Sequence, residues 1–214
     1  MRMVVRGVLV GAMCAAVGLA VEGRDGAGDA ELQFQLGSLL FEETRFDEAR
    51  AAFRRAADTD DPALKMRARI GVVKTALLVG EFEEAQKEAA GLKADTPGNP
   101  EVMTVHADAL WSAGLFDEAE REFRDALAIA PELSRGRHGL AKALASRSKL
   151  DLALNEVQAA LRTSPRDGEI HHTTGAIYER LRRYEEAAGA YTNYVNLLPN
   201  KDRSDKALWS KAQI

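Results

Sequence analysis

Phe116-Asp117-Glu118-Ala119 opens the stretch FDEAEREFRDALAIAP (residues 116–131), and the same four-residue block returns four more times. It reads Phe46-Asp47-Glu48-Ala49, Phe82-Glu83-Glu84-Ala85, Leu150-Asp151-Leu152-Ala153 and Tyr184-Glu185-Glu186-Ala187, with the alanines 36, 34, 34 and 34 residues apart along the chain. A fixed period of this length marks stacked helical hairpins rather than one closed globular core. Within the quoted stretch Phe116, Ala119, Phe123 and Ala126 recur at steps of three and four, which is one face of a helix. Pro131 cannot continue a helix interior and so separates this hairpin from the next. The acidic pairs in the blocks fall in a first helical turn, where the helix dipole favours carboxylates. That explains them without a catalytic carboxylate dyad.

Followed through the chain, the pattern divides into units at 30–63, 66–99, 100–133, 134–167 and 168–201. A small residue in each first helix falls at Gly37, Val73, Ala107, Ala141 and Gly175, and a closing proline at Pro97, Pro131, Pro165 and Pro199. The first unit has Asp61 at the closing position, with Pro62 one place late. The second unit is preceded by two extra residues, Leu64 and Lys65, which predict a longer first helix or a local offset. Small residues suit the crossing point of two helices, and the aromatics fill the space between units. These residues resemble the tetratricopeptide repeat family, over residues 30–201. The family's tryptophan position is filled here by Gln33, Arg69, Met103, Arg137 and His171. The resemblance implies an all-α, right-handed solenoid of five hairpins closed by a C-terminal capping helix.

The two ends carry separate signals. Arg2 and Arg6 precede an uncharged apolar run from Gly7 to Ala20, too short to span a bilayer comfortably, and Gly18-Leu19-Ala20 has the small-x-small form of a cleavage site. Residues 1–20 are expected to be a secretory signal peptide, cut after Ala20, and 21–29 a flexible linker. The alternative is an uncleaved anchor in the inner membrane. Cys14 is the single cysteine, so the mature chain needs no disulfide. The whole-chain charge of −4 becomes more negative once the two arginines leave, which argues against a general nucleic-acid binder. No later segment is long and apolar enough to span a membrane. At the other end Ser204 is an N-cap residue ahead of Ala207, Leu208, Ala212 and Ile214 on one helical face. Residues 202–214 are expected to be the capping helix, either minimal or truncated. The closing stretch also resembles the end of the repeat region in exported bacterial proteins that continue into a retropepsin-like aspartic protease domain.

No catalytic constellation is visible. There is no H-E-x-x-H, no paired C-x-x-C and no phosphate-binding loop, and Asp95-Thr96-Pro97-Gly98 is a turn at a repeat junction. His171 and His172 are adjacent and point about 100° apart on a helix, so they cannot chelate together. His138 and His172 occupy equivalent places in consecutive units without a carboxylate pattern to join them. No cofactor and no metal are expected.

In the family the first helices line a concave groove, and the resemblance places Phe34, Phe41, Arg67, Lys74, Asp108, Trp111, Arg135, His138, Lys142, His172 and Arg180 on it. Phe34, Phe41, Ile70, Leu77, Leu78 and Trp111 make its front apolar, while Arg135, His138 and Lys142 make the fourth unit basic. Such a surface suits an extended or helical peptide with an acidic end. The family's chaperone-binding clamp of Lys and Asn is absent, since the relevant position reads Gln35, Gly71, Val105, Gly139 and Thr173. The expected function is therefore a non-enzymatic scaffold or adaptor that binds a protein or peptide partner, periplasmic or secreted. Two alternatives stand beside it: the recruiting module of a larger exported protease, and a self-assembling spacer.

Overall fold

A computed structural model describes residues 28–198, and all of its regular structure is helical. The signal peptide, most of the linker, Pro199 and the capping helix lie outside the described residues. Helix α1 spans 28–42. It is followed by α2 (Phe46–Ala56), α3 (Pro62–Val79), α4 (Phe82–Asp95), α5 (Pro100–Ser112) and α6 (Phe116–Ile129). The series ends with α7 (Ser134–Ser146), α8 (Leu150–Thr163), α9 (Gly168–Arg180) and α10 (Tyr184–Leu197). Every even-numbered helix thus begins on the first residue of a repeated block. The chain forms two compact units that divide between Glu88 and Ala89, inside α4.

The starts of α3, α5 and α9 have a clear local cause. Asp61, Asn99 and Asp167 are N-caps, each side chain accepting hydrogen bonds from two backbone N–H groups of the first turn at 2.9–3.3 Å. These bonds satisfy donors that have no partner within the helix. Pro62, expected to close the first unit, instead opens α3 at its first position. A missing N–H costs nothing there and the fixed φ favours the helix. The insertion Leu64-Lys65 lies inside α3, which runs to 18 residues against 13 in α5, α7 and α9.

The turn inside each hairpin repeats as well. Thr44, Gly80, Gly114, Ser148 and Arg182 all take positive φ, between 59° and 83°, two residues before each block. Only two of the five are glycine, the residue that adopts this conformation without a Cβ penalty.

Aromatic rings packed on glycines set the helix spacing. In the first unit the Phe53 ring lies between Gly37 and Gly71, where a Cβ on either would sit 2.7 Å from the ring. In the second, Phe123 packs on Gly139 and Tyr191 on Gly175 in the same way. Phe123 is fully buried with Ala107, Ala119, Leu144, Val157 and Ile170 in one apolar cluster. Ion pairs reinforce the packing at the edges: Arg50 of α2 reaches Glu81 at 2.6 Å and Glu84 at 3.2 Å. The buried Glu120 of α6 holds Arg147, Lys149 and Arg124.

Candidate functional site

In the first unit the inner faces of α1 and α3 enclose a cleft of about 210 Å³. Its walls include Phe34, Phe41, Arg67 and Lys74, all four expected from the sequence, together with Ser38, Glu42 and Ile70. Gly71 and Phe53 contribute as well. Phe53 belongs to α2, so the floor comes from a second helix that the assignment of binding positions to first helices did not include. The Phe34 and Phe53 rings lie 5.6 Å apart in a tilted contact, and the Arg67 guanidinium sits over Phe34 at 4.2 Å. Arg67 is also 4.0 Å from Glu31. Apolar walls under a charged rim let the cleft take an apolar side chain while a polar group of the same ligand meets the rim.

In the second unit a polar network crosses the inner faces of α5, α7 and α9. Asp108 is buried at its centre. Its carboxylate accepts from Arg135 Nη2 at 2.9 Å and from Lys142 Nζ at 3.3 Å. Burial pushes the Asp108 carboxyl up, but the Lys142 and Arg135 charges outweigh it, so the group titrates below its ordinary range. The Lys142 ammonium also stands over the Trp111 ring at 4.6 Å, a cation–π contact. The Trp111 indole N–H donates to Ser146 Oγ at 3.0 Å.

His138 lies beside this cluster, its Nε2 within 2.8 Å of Thr173 Oγ1. Burial, joined by the nearby Lys142 charge, pushes the imidazole down to about 4. It is therefore neutral at pH 7. The patch of Arg135, His138 and Lys142 is accordingly less basic than its sequence suggests. Within it His138 carries no charge and Asp108 neutralises one of the two cations, leaving one net positive charge.

The two remaining expected residues, His172 and Arg180, also make contacts within the second unit. The His172 ring meets Tyr194 edge-on at 5.0 Å between centroids and Tyr191 in a tilted contact at 5.7 Å. His138 thus meets Thr173, and His172 meets the two tyrosine rings. Arg180 donates to Ala145 O at 2.6 Å and to Ser148 Oγ at 3.2 Å, bracing the preceding turn. Among the described residues no group of three His, Cys, Asp or Glu is placed to hold a metal ion, and no helix is long and apolar enough to cross a membrane.

A family model described as tetratricopeptide repeat matches residues 18–70, 73–134 and 138–201. No curated protein sequence matches the chain. Among solved structures the chain is similar to TTC0263, described as a thermophilic tetratricopeptide repeat protein of Thermus thermophilus. The TM-score is 0.75 at 19% identity, covering 86% of this chain and 98% of that one. It is also similar to YrrB, described as a tetratricopeptide repeat protein with an unusual peptide-binding site. There the TM-score is 0.52 at 18% identity, covering 91% of this chain and 97% of that one. A MamA fragment from Desulfovibrio magneticus RS-1 aligns with a TM-score of 0.53 at 16% identity, over 83% of this chain and 97% of that one.

Proposed function

Because the chain belongs to the tetratricopeptide repeat family, we propose that it is a non-catalytic interaction scaffold that binds a partner protein or peptide on the inner faces of its first helices. The observation that carries this reading is the cleft of Phe34, Phe41, Phe53 and Ile70 rimmed by Arg67 and Glu42. An apolar hollow with polar groups at its edge can receive an apolar side chain and the backbone around it, while Phe53 at its base also packs the unit. In the second unit the exposed edge of Trp111, the Arg135 guanidinium and the rigid Asp108 network provide a further contact face with one net positive charge. The cleft of the first unit favours an apolar anchor, and the face of the second unit favours a carboxylate.

The apolar leader before a small-x-small site supports placing this scaffold in the bacterial envelope, periplasmic or secreted. Two measurements test the proposal. Affinity capture from envelope extract is run with the parent and with Phe34→Ala/Arg67→Glu. A partner retained by the parent and lost by the variant is the expected result, and equal retention by both overturns the assignment of the cleft. Mass spectrometry of the accumulated protein reads the N-terminus: a start at Val21 is expected, whereas a chain beginning at Met1 overturns cleavage.

A further inference from the structure

Opposite charges are sorted to the two sides of the seam between the third hairpin (α5 and α6) and the fourth (α7 and α8). Asp108 and Glu120 of the third hairpin are both buried. The fourth hairpin sets four cations on them, Arg135 and Lys142 on Asp108 and Arg147 and Lys149 on Glu120. His138 shares the face of α7 that carries Arg135 and Lys142, three residues after one and four before the other. Three further charges stand around this seam. Arg124 holds Glu120 from its own helix at 2.9 Å, the exposed Asp117 lies 2.7 Å from Arg147, and Asp167 of α9 acts on His138. Glu122 of α6 serves the preceding seam, holding Lys93 of α4 at 2.6 Å with His106 of α5 3.4 Å away.

The charges across the seam depend on protons. At neutral pH the three carboxylates of Asp108, Asp117 and Glu120 meet the five cations Arg124, Arg135, Lys142, Arg147 and Lys149. Protonating those acids and His138 leaves only positive charges there, with Asp167 beside them. In the first unit, by contrast, the bridging acids Glu81 and Glu84 are 49% and 30% exposed, so water and salt screen them in either state.

We propose that the seam between the third and fourth hairpins is an acid-release joint, closed while Asp108 and Glu120 are ionised and His138 is neutral, and opened when these groups take up protons. A buried carboxylate that loses its charge leaves its cations desolvated and unpaired. The direction is the same at all three groups. Burial disfavours the Glu120 carboxylate, but Lys149, Arg147 and Arg124 outweigh it and hold the group below its ordinary range, as their counterparts do for Asp108. Burial holds the His138 imidazole down at about 4. Each group therefore binds its proton more weakly in the closed seam than in an open one. The closed seam is at full strength above the ordinary histidine range and weakens as pH falls through it. Near the ordinary carboxylate range opening takes up more than one proton, so the open fraction rises more than about tenfold per pH unit. Repeat stacks are held by nearest-neighbour contacts, so one seam can fail ahead of the others. Opening also dismantles the contact face of Trp111, Arg135 and Asp108. That consequence rests on the scaffold reading, whereas the opening itself does not.

Trp111 reports the seam directly, because its indole N–H donates to Ser146 Oγ of α7. The whole chain carrying Trp209→Phe keeps it as the single tryptophan. Its emission and acrylamide quenching are followed in acid titration, beside the far-ultraviolet circular dichroism of the same samples. The expected result is a reversible gain in quenching below about pH 5, with a slope of more than one proton. It should come about half a pH unit or more before half of the helical signal is lost. His138→Gln stays uncharged in acid and should move the step about half a pH unit or more towards lower pH. Three results overturn the proposal. One is a Trp111 signal that stays flat or moves only together with the helical signal. Another is a step that takes up one proton or fewer. The third is a His138→Gln protein, with the parent's helical spectrum at neutral pH, whose step has not moved.

Discussion

Gly139→Ala adds one methyl group in a place where the structure leaves no room for it. The new Cβ would lie 2.2 Å from Phe123 Cε1 and 2.3 Å from Cζ, against the 3.5–4.0 Å of a relaxed carbon contact. The ring must move by more than 1 Å, and it has nowhere to go. Phe123 is fully buried, enclosed by the second unit's apolar cluster. Two opposing effects decide the sign. Alanine in a helix interior is favoured over glycine by about 1 kcal/mol. Overpacking a dense core costs about 1–3 kcal/mol, and an overlap of this depth belongs at the upper end. The net expectation is a loss of about 2 kcal/mol, which for a chain of this size lowers the melting temperature by about 4–8 °C.

Thermal melts followed by far-ultraviolet circular dichroism measure this loss. Gly189→Ala serves as control, since that glycine lies within α10 and its Cβ would meet nothing within 4 Å. It should hold or raise the melting temperature. Phe123→Leu combined with Gly139→Ala removes the ring that clashes. The pair should lose at least about 1 kcal/mol less than the sum of the two single changes. A Gly139→Ala protein that melts at or above the parent temperature would refute the argument that the glycine exists to admit the ring.

Arg182 adopts φ 59° in the last hairpin turn, so Arg182→Gly relieves a left-handed conformation worth about 1–2 kcal/mol, offset in part by the extra freedom of the unfolded glycine. A gain of about 0.5–1 kcal/mol in urea denaturation is expected. His138 is neutral in the fold and charges in the unfolded chain, so its contribution is fully present above the ordinary histidine range and is lost as pH falls through that range towards about 4. His138→Gln should flatten the fall in stability across that interval, read from denaturation midpoints at a series of pH values. Asp108 has a lowered folded pKa, so its ion pairs stabilise the fold at neutral pH and lose their effect in acid. Asp108→Asn should cost about 2 kcal/mol at pH 7, less than a fully enclosed pair because Arg135 is 44% exposed. The deficit should shrink only as the pH falls below the ordinary aspartate range and the parent's carboxylate protonates.

Much of the fold was legible because its determinants are local. The blocks at Phe46, Phe82, Phe116, Leu150 and Tyr184 mark helix starts, and Pro97, Pro131 and Pro165 lie in the loops between helices. The small residues Gly37 and Gly175 meet the aromatic rings of their own hairpins. What stayed hidden depends on how neighbouring hairpins are offset. Gly71 and Gly139 drew notice in the sequence only as positions lacking an asparagine. In the structure each receives an aromatic ring from the preceding hairpin. Charge alone suggested a basic fourth unit, but the pairing of Arg135 and Lys142 with Asp108 spans 27 and 34 residues. Only the stacking of α5 on α7 reveals it. Pro62 was misread because closing and opening prolines differ by their place relative to the N-cap, and Asp61 supplies that cap. The left-handed turns had a visible trace, a glycine two residues before the blocks at Phe82 and Phe116. Thr44, Ser148 and Arg182 obscure the pattern elsewhere.

The most direct test of the scaffold reading is site-specific photocrosslinking in intact cells. A benzoylphenylalanine probe is placed in turn at Ser38 and Ser112, on the inner faces of the two units, and at Glu83 and Arg121, on exposed positions of the second helices. The account predicts that the inner-face probes capture a discrete partner band and that the second-helix probes do not. Equal capture from all four positions, or none from the inner faces, would contradict it.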